Sequence, residues 1–521
     1  MSLARDIGTV GGGTLISRLL AYARDAGIAA LLGTGPFSEA FFAVLQLVNF
    51  FRRLLAEGAL NSAFVPIWLR LAGGEDGTAN ANRFTIRTLV TIGCITGIVA
   101  LVGVVMAHFI IAVIAQGFDP GRQKLATLLL MIVAPYIMLT GLVAVISAAL
   151  YAEHRVAAVT VSTVMFNLVL VGLLVFVVVY RHQITPFYVS VWLATAIVAA
   201  GFIQFMITGA AWLASGRRFR RVRLRARDES GAFYKRALPG LIAAGVPQLK
   251  LIAATALVSS SPAAVSWLYY ANRLYELPLG VASIAIAAVI VPRIAASVHA
   301  SDRAAYEQAQ SRAYEIALGI ALPAATGFAL LAPQIASGLF EHGAFRANDT
   351  DAVATALTAI CSGLPGHVLE KVFGAVSFSH EDTKTPMKAA LAGLATAVIG
   401  GIALYPPFGY IGVAAAIAFS GWVGAALLGV VLYRRGWLKL DAVAARRLPR
   451  IAVATAIMGV AVAGGLAAMD LLMPMLAASA VGRLALLLAM VALGMLVYGV
   501  AIDRLGVAKI GQLIAALRAA G

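Results

Sequence analysis

Acidic residues are scarce in this chain. Its 521 residues include 23 aspartates and glutamates against 40 lysines and arginines, and only 12% of it is charged. So little charge excludes a soluble domain, which needs a polar surface to face water. Two cysteines, Cys94 and Cys361, both sit in apolar runs. They read as small hydrophobes and give no basis for a disulfide framework or a Cys/His metal site. Catalytic signatures are missing too. There is no Walker A loop, no aspartate-rich metal motif of the prenyl-transfer kind and no HExxH at membrane depth, so an ATP-driven pump and a metal-dependent lipid transferase are disfavoured. Neither an enzyme nor a bound cofactor is expected. A cleavable signal is not expected either, because the first apolar run outlasts a signal peptide and lacks a small-residue cleavage site.

What is there is apolar. Hydrophobic residues make up 61% of the chain and the mean hydropathy is +0.91. A transmembrane helix needs about 20 mostly apolar residues, and such runs recur almost from end to end. The pattern predicts an all-α polytopic membrane protein of 14 transmembrane helices. The first seven fall at 7–33, 37–69, 86–115, 124–150, 158–180, 187–214 and 238–260. The others fall at 263–292, 313–340, 351–378, 387–405, 409–433, 450–471 and 481–503.

The net charge of +17 suggests nucleic acid at first, but the basic residues lie in short loops rather than on one amphipathic face. With a cytoplasmic N-terminus, only Arg122, Lys124, Arg181, Arg346 and Arg483 fall on the outer side, and most of the rest are cytoplasmic. That asymmetry obeys the positive-inside rule with both termini in the cytoplasm. No nucleic-acid partner is implied.

The most basic loop, RRFRRVRLRARDES from Arg217, splits the first twelve spans into six and six. We therefore expect two six-helix lobes around a central cavity, residues 1–225 and 226–445, with residues 446–521 adding two C-terminal helices and a cytoplasmic tail. Paired lobes suit alternating access around a site near the midplane.

Seven basic residues lie within the expected spans: Arg18, Arg24, Arg52, Arg53, Lys250, Arg273 and Lys371. A charge at the helix centre costs about 2.5–3.5 kcal/mol on insertion scales, so each needs a reason. Arg18 and Arg24 are roughly 9 Å apart along a helix and about 120° around it, too far to share one narrow face. Gly11, Gly12, Gly13 and Gly27 let that span bend or pack closely. In the second span Gln46, Asn49, Arg53, Glu57 and Asn61 form one polar stripe. In the eighth, Tyr269, Asn272, Arg273 and Glu276 share a side, and Pro278 is expected to bend the helix just after them.

Intramembrane ion pairing is one explanation: Arg53 with Glu57, Arg273 with Glu276, Asp25 with a neighbouring arginine. It leaves an excess, because five arginines face only Asp25, Glu39, Glu57 and Glu276, and Glu39 lies toward the outer interface. Arginine has no accessible neutral form and a planar fork that fits phosphate oxygens, so an anionic ligand is the other explanation. Lys250, with Pro247 and Gln248, lines the same cavity or snorkels to water. Glu370 and Lys371, with His367, read as a self-contained pair more readily than as a coupling path.

The segments GTLISRLLAYARDAGIAALLG, SEAFFAVLQLVNFFRRLLAEGALNSAFVPIW, YYANRLYELPLGVASIAIAAVIVPRIA (269–295), GAF (343–345) and DTKTP (382–386) resemble the MurJ/MviN lipid II flippase family. That family lies within the multidrug/oligosaccharidyl-lipid/polysaccharide exporter superfamily, and the resemblance runs from Gly8 to about residue 440. It implies a cationic cavity between two lobes and a lipid-tail groove formed by the last two helices. It also implies movement of lipid II, an undecaprenyl-pyrophosphate glycolipid, from the cytoplasmic to the periplasmic leaflet of the bacterial inner membrane, by a monomer among membrane lipids. Carried over by motif, Arg18, Arg24, Arg52, Arg53 and Arg273 bind substrate, while Ser17, Asp25, Glu39, Asn49, Glu57, Asn272 and Glu276 line or order the cavity. The chain departs from the family pattern at Glu39, usually Asp, and at Val48, usually Pro. The ligands of the cation site proposed for some members have no match, so the coupling ion is open.

A flippase for another undecaprenyl-linked glycan would share lobes and a basic cavity, but the ELPLG, EGA and DTKTP motifs weigh against it. A cation-coupled drug exporter would want an acidic cavity. A membrane scaffold has no use for buried arginines.

Overall fold

The computed structural model describes residues 2–56, 59–74, 77–180, 184–216, 245–300, 302–472 and 479–508. Among them there is helix and no strand. That is the solution expected of a chain whose backbone must satisfy its own N–H and C=O groups away from water.

Contacts divide the chain into two compact units. The first, Met1–Ser266 with Gly343–Phe345, holds α1 (Ser2–Leu32), α2 (Pro36–Ala56), α3 (Ala59–Ala72), α4 (Gly77–Val105), α5 (Ala107–Ile114), α6 (Pro120–Val133), α7 (Pro135–Ala152), α8 (Val156–Val179) and α9 (Pro186–Ala214). It also holds α10 (Gly245–Val258) and the first residues of α11 (Ala264–Ala285). The second unit continues α11 and adds α12 (Val291–His299), α13 (Arg303–Leu330), α14 (Ala332–Phe340) and α15 (Ala347–Cys361). It ends with α16 (Leu364–Ser379), α17 (Lys384–Arg434), α18 (Ala442–Leu472) and α19 (Ala480–Arg504). The division falls at Ser266, so α10, which covers the described part of the expected seventh span, packs with the first unit. The basic loop at 217–236 lies outside the described residues.

Among the described residues, eight helical stretches are long and apolar enough to cross a membrane, nine if α15 and α16, bent by 40°, form one span. The 51-residue α17 contains two expected spans, because Pro406 and Pro407 lead into Gly409 at φ 57° and ψ −141°, which reverses the chain. The expected spans outside this set, at 7–33, 37–69, 238–260 and 263–292, are also helical where described. Between them they carry Arg18, Arg24, Arg52, Arg53, Lys250 and Arg273. Large apolar side chains such as Leu101, Phe109, Ile399 and Leu496 stand more than 60% exposed, the surface that acyl chains cover.

Two local devices set the site. Gly13 of α1 faces Thr160 of α8 so closely that an added methyl would stand 1.9 Å from the threonine methyl, so its role is close helix packing. Gly343, at φ 63°, would meet the Ala30 carbonyl oxygen at 2.2 Å, and the next amide, Ala344 N–H, donates to that same oxygen at 2.9 Å. Only glycine fits there, which accounts for the Gly-Ala-Phe signature. α11 continues through Pro278 to Ala285 and is followed by a π turn at Ile286–Ile290, a second departure from the regular α ladder after the N–H that Pro278 lacks.

Candidate functional site

α1 carries Ser17, Arg18, Arg24 and Asp25 over little more than two turns. Arg24 is 4% exposed and Asp25 0%, and charges so deep have to be matched. Arg24 donates to Asp25 Oδ1 from Nε at 3.0 Å and Nη2 at 2.7 Å, and from Nη1 to Asn167 Oδ1 at 3.2 Å. The Asn167 amide, on α8, donates in turn to the Ser17 carbonyl and hydroxyl, both at 3.1 Å. One amide therefore ties the buried pair to Ser17, two turns earlier.

On α2, Arg52 donates from Nη2 to Asn49 Oδ1 at 3.3 Å, and its guanidinium lies 5.6 Å from the centroid of Phe166. Its Nε is buried and has no hydrogen-bond partner. Phe166 precedes Asn167, so consecutive residues of α8 meet arginines of α1 and α2. Arg53 turns toward α10. With the Gln248 amide oriented by its hydrogen bonds, its oxygen accepts from Arg53 Nη1 at 2.8 Å and Nε at 3.0 Å. Lys250, two positions after Gln248, is also buried. Arg18 is half-buried, and like Arg52 it has no carboxylate partner among the described residues. Glu57, expected to pair with Arg53, lies outside the described residues.

Glu39 is placed apart from this cluster. It precedes Arg52 by thirteen positions, about 20 Å of helix. It is 1% exposed, accepts from Arg122 Nη1 at 2.7 Å, and accepts the Ala263 and Val265 N–H groups at the start of α11. Arg122 also pairs with Asp119 and lies 5.0 Å from the Phe118 ring centroid. Asp119 caps α6, with Pro120 at the first helical position. The Arg122 N–H and then its guanidinium hold the Asp119 carboxyl below its ordinary range.

In the second unit, Arg273 donates to Glu276 Oε2 at 3.3 Å and Asn272 donates to Glu276 Oε1 at 3.3 Å. Glu276 thus orders both neighbours one turn back. The expected Glu370–Lys371 pair is not formed. Lys371 is exposed and has no ion pair among the described residues, whereas Glu370 packs against Gly424 of α17. Here the two side chains leave the helix about 100° apart.

A cleft of about 850 Å³ between α12, α13 and α18 is lined by Arg293, Arg312, Glu315, Asp441 and Arg447 among others. Its buried carboxylate, Glu315, accepts from both Arg312 and Arg447, at 2.6 and 3.3 Å. Sequence reasoning missed Phe166, Asn167 and the Arg122 partner of Glu39. Asn167 was legible, since it is the one amide in the 24-residue apolar α8.

Fold and site define a polytopic, all-helical membrane protein with arginines on α1, α2 and α11. The sequence profile of the lipid II flippase MurJ matches residues 28–482. A probable lipid II flippase MurJ of Rhizobium tropici is 35% identical over 471 residues, spanning 88% of this chain and 86% of the relative. Its counterpart in Rhizobium meliloti (strain 1021) is 36% identical over 473 residues, with the same coverage. Among solved structures, a lipid II flippase MurJ in an inward closed conformation superposes with a TM-score of 0.78 at 22% identity, over 95% of this chain and 98% of that one. An inward-facing multidrug resistance MATE family transporter of the MOP superfamily superposes with a TM-score of 0.66 at 15% identity, over 80% and 94%. At these identities the structural likeness concerns the fold. The chain belongs to the lipid II flippase MurJ family.

Proposed function

We propose that this protein moves lipid II from the cytoplasmic to the periplasmic leaflet of the bacterial inner membrane by alternating access, with Arg18, Arg24, Arg52 or Arg53, and Arg273 gripping the pyrophosphate. The proposal includes fourteen spans, both termini in the cytoplasm, action as a monomer, and lobes at 1–225 and 226–445. In it, residues 446–521 supply the groove for the lipid tail.

The observation that supports the grip is that Arg18 and Arg52, in helices expected to span the bilayer, have no carboxylate partner among the described residues. A guanidinium cannot shed its charge, so an anion is a fitting partner for it. Bidentate contact with phosphate oxygens supplies that match in a site of low dielectric. Arg24 and Arg273, already paired with Asp25 and Glu276, add positive field and the remaining N–H donors. In the proposed cycle the pyrophosphate offsets repulsion among the arginines, which favours closure, and rocking of the lobes then opens the site outward.

Depletion of the native protein tests this. The wild-type chain should restore growth and outward appearance of lipid II, and Arg24→Ala and Arg273→Ala at matched expression should not. Wild-type protein dispensable for lipid II export moves the function to another substrate. Variants that rescue normally refute the grip.

A further inference from the structure

α16 presents two ionisable side chains, His367 and Glu370, three positions apart and therefore on one face. Both press into the second half of α17 at glycines with the same spacing. A methyl on Gly421 would stand 2.4 Å from His367 Nδ1, and one on Gly424 would stand 2.8 Å from the Glu370 carboxyl carbon. The neighbouring helix is notched to admit two polar groups where apolar ones pack elsewhere.

The contacts of the imidazole are the informative part. His367 Nδ1 lies 2.8 Å from the Tyr275 hydroxyl of α11 and 3.1 Å from the Gly363 carbonyl oxygen. The hydroxyl can donate, and the carbonyl can only accept. A neutral ring with its proton on Nε2 receives the Tyr275 O–H at Nδ1, and a protonated ring donates from Nδ1 to Gly363. One nitrogen thus has a partner suited to each protonation state. His380 shows the plain alternative: its Nδ1 faces only the Val376 carbonyl four residues back, and its ring stacks on Trp437.

α16 itself adds Lys371, and α12, which packs on it, carries Arg293 and His299. Glu370, Glu276 and Cys361 are within electrostatic reach of the Tyr275 hydroxyl. Glu276 is ordered by Arg273 and Asn272. The second half of α17 has no titratable group from Ile411 to Leu432, and α13 has none from Ile316 to Leu330.

We propose that His367 and Glu370, with Tyr275, form a proton-binding site whose loading drives translocation. The proton passes to the imidazole from hydronium on one side, breaking an O–H bond and forming N–H, and leaves to water on the other side by the reverse exchange. Tyr275 sits between Arg273 and Glu276 in sequence, so a shift of α11 on protonation bears directly on a residue of the proposed grip. The coupling rests on the flippase reading; the proton site itself does not.

Two experiments on the full chain separate the claims. In the first, ring-labelled histidine is followed by NMR in detergent, and the seven histidines are resolved by the signal lost in His367→Asn. The His367 signal should move with pH between about 5 and 8, and Glu370→Gln and Tyr275→Phe should each displace its midpoint. A signal indifferent to pH overturns the site. Should His367→Asn fail to fold, the two isosteric variants identify the signal by displacing it.

In the second, proteoliposomes carry lipid II and a pH difference of one unit. One coupled proton shifts the ratio of lipid II between leaflets about tenfold. Wild type should show that shift, and Glu370→Gln should translocate without it. Translocation by wild type that ignores the pH difference, or that follows a sodium gradient instead, overturns the coupling. Absence of any translocation refutes the flippase reading, and the NMR titration still decides the site.

Discussion

Replacing Asp25 by alanine leaves Arg24 buried without its carboxylate. Arg24 spends two of its donors on Asp25 Oδ1, at 2.7 and 3.0 Å, and both residues are almost wholly buried. Removing one partner of such a pair costs about 3–5 kcal/mol, chiefly because the remaining charge has lost its compensation. Replacing both by apolar residues of similar size is often neutral, so Arg24→Met with Asp25→Leu should recover most of what Asp25→Ala loses. The assay is thermal unfolding in detergent followed by size exclusion, beside growth rescue. We expect Asp25→Ala to lower the midpoint sharply, the double variant to regain it, and the double variant still to fail in rescue because the guanidinium is gone. An Asp25→Ala protein as stable as wild type refutes the ion-pair argument. A double variant that rescues growth refutes a role for Arg24 in the grip.

Asn167→Leu removes the amide that joins Arg24 to Ser17, leaving buried polar groups unmatched at a cost of about 1–3 kcal/mol; the same unfolding assay should show a midpoint between those of wild type and Asp25→Ala. Gly363→Ala places a methyl 2.4 Å from the Ala418 Cα, whereas Gly172→Ala meets nothing within 4 Å; the first should cost about 1–3 kcal/mol or more and the second should leave the midpoint unchanged. At Asp382, outside the spans, burial alone would raise the carboxyl, but the Thr385 hydroxyl and N–H and the Arg435 guanidinium outweigh it and hold it down at about 2 against an ordinary 3.8. A depressed carboxyl stabilises the fold above its unfolded value and loses that contribution as pH falls from about 4 to about 2. Arg435→Ala should therefore be less stable at neutral pH by about 0.2–1 kcal/mol, with the gap closing in acid; a gap unchanged at pH 2 sinks this account.

Much of the helical layout was legible because a bilayer demands long apolar helices, and the runs could be read directly. The break inside α17 was legible as the gap between the spans 387–405 and 409–433, where Pro406, Pro407 and Gly409 fall. What could not be read is partnership across helices. Hydropathy places Glu39 and Arg122 at one membrane surface, yet nothing in either segment says that they meet at 2.7 Å. Likewise the sequence offers Lys371 beside Glu370, and helix geometry turns the two apart so that Glu370 meets a glycine notch instead.

The same distinction sorts the arginines, which sequence alone treats as one group. Arg24 and Arg273 each have a carboxylate within the same helix turn, so their positions are set whether or not substrate is bound. Arg18 and Arg52 have none among the described residues, and Arg52 keeps a buried Nε unmatched against Phe166. Leaving such a donor unpaired costs about 1–3 kcal/mol in the empty protein. On the proposed grip, a bound phosphate would offset that cost, and Arg18 and Arg52, which have no carboxylate among the described residues, would carry the difference between loaded and empty protein more than Arg24 and Arg273.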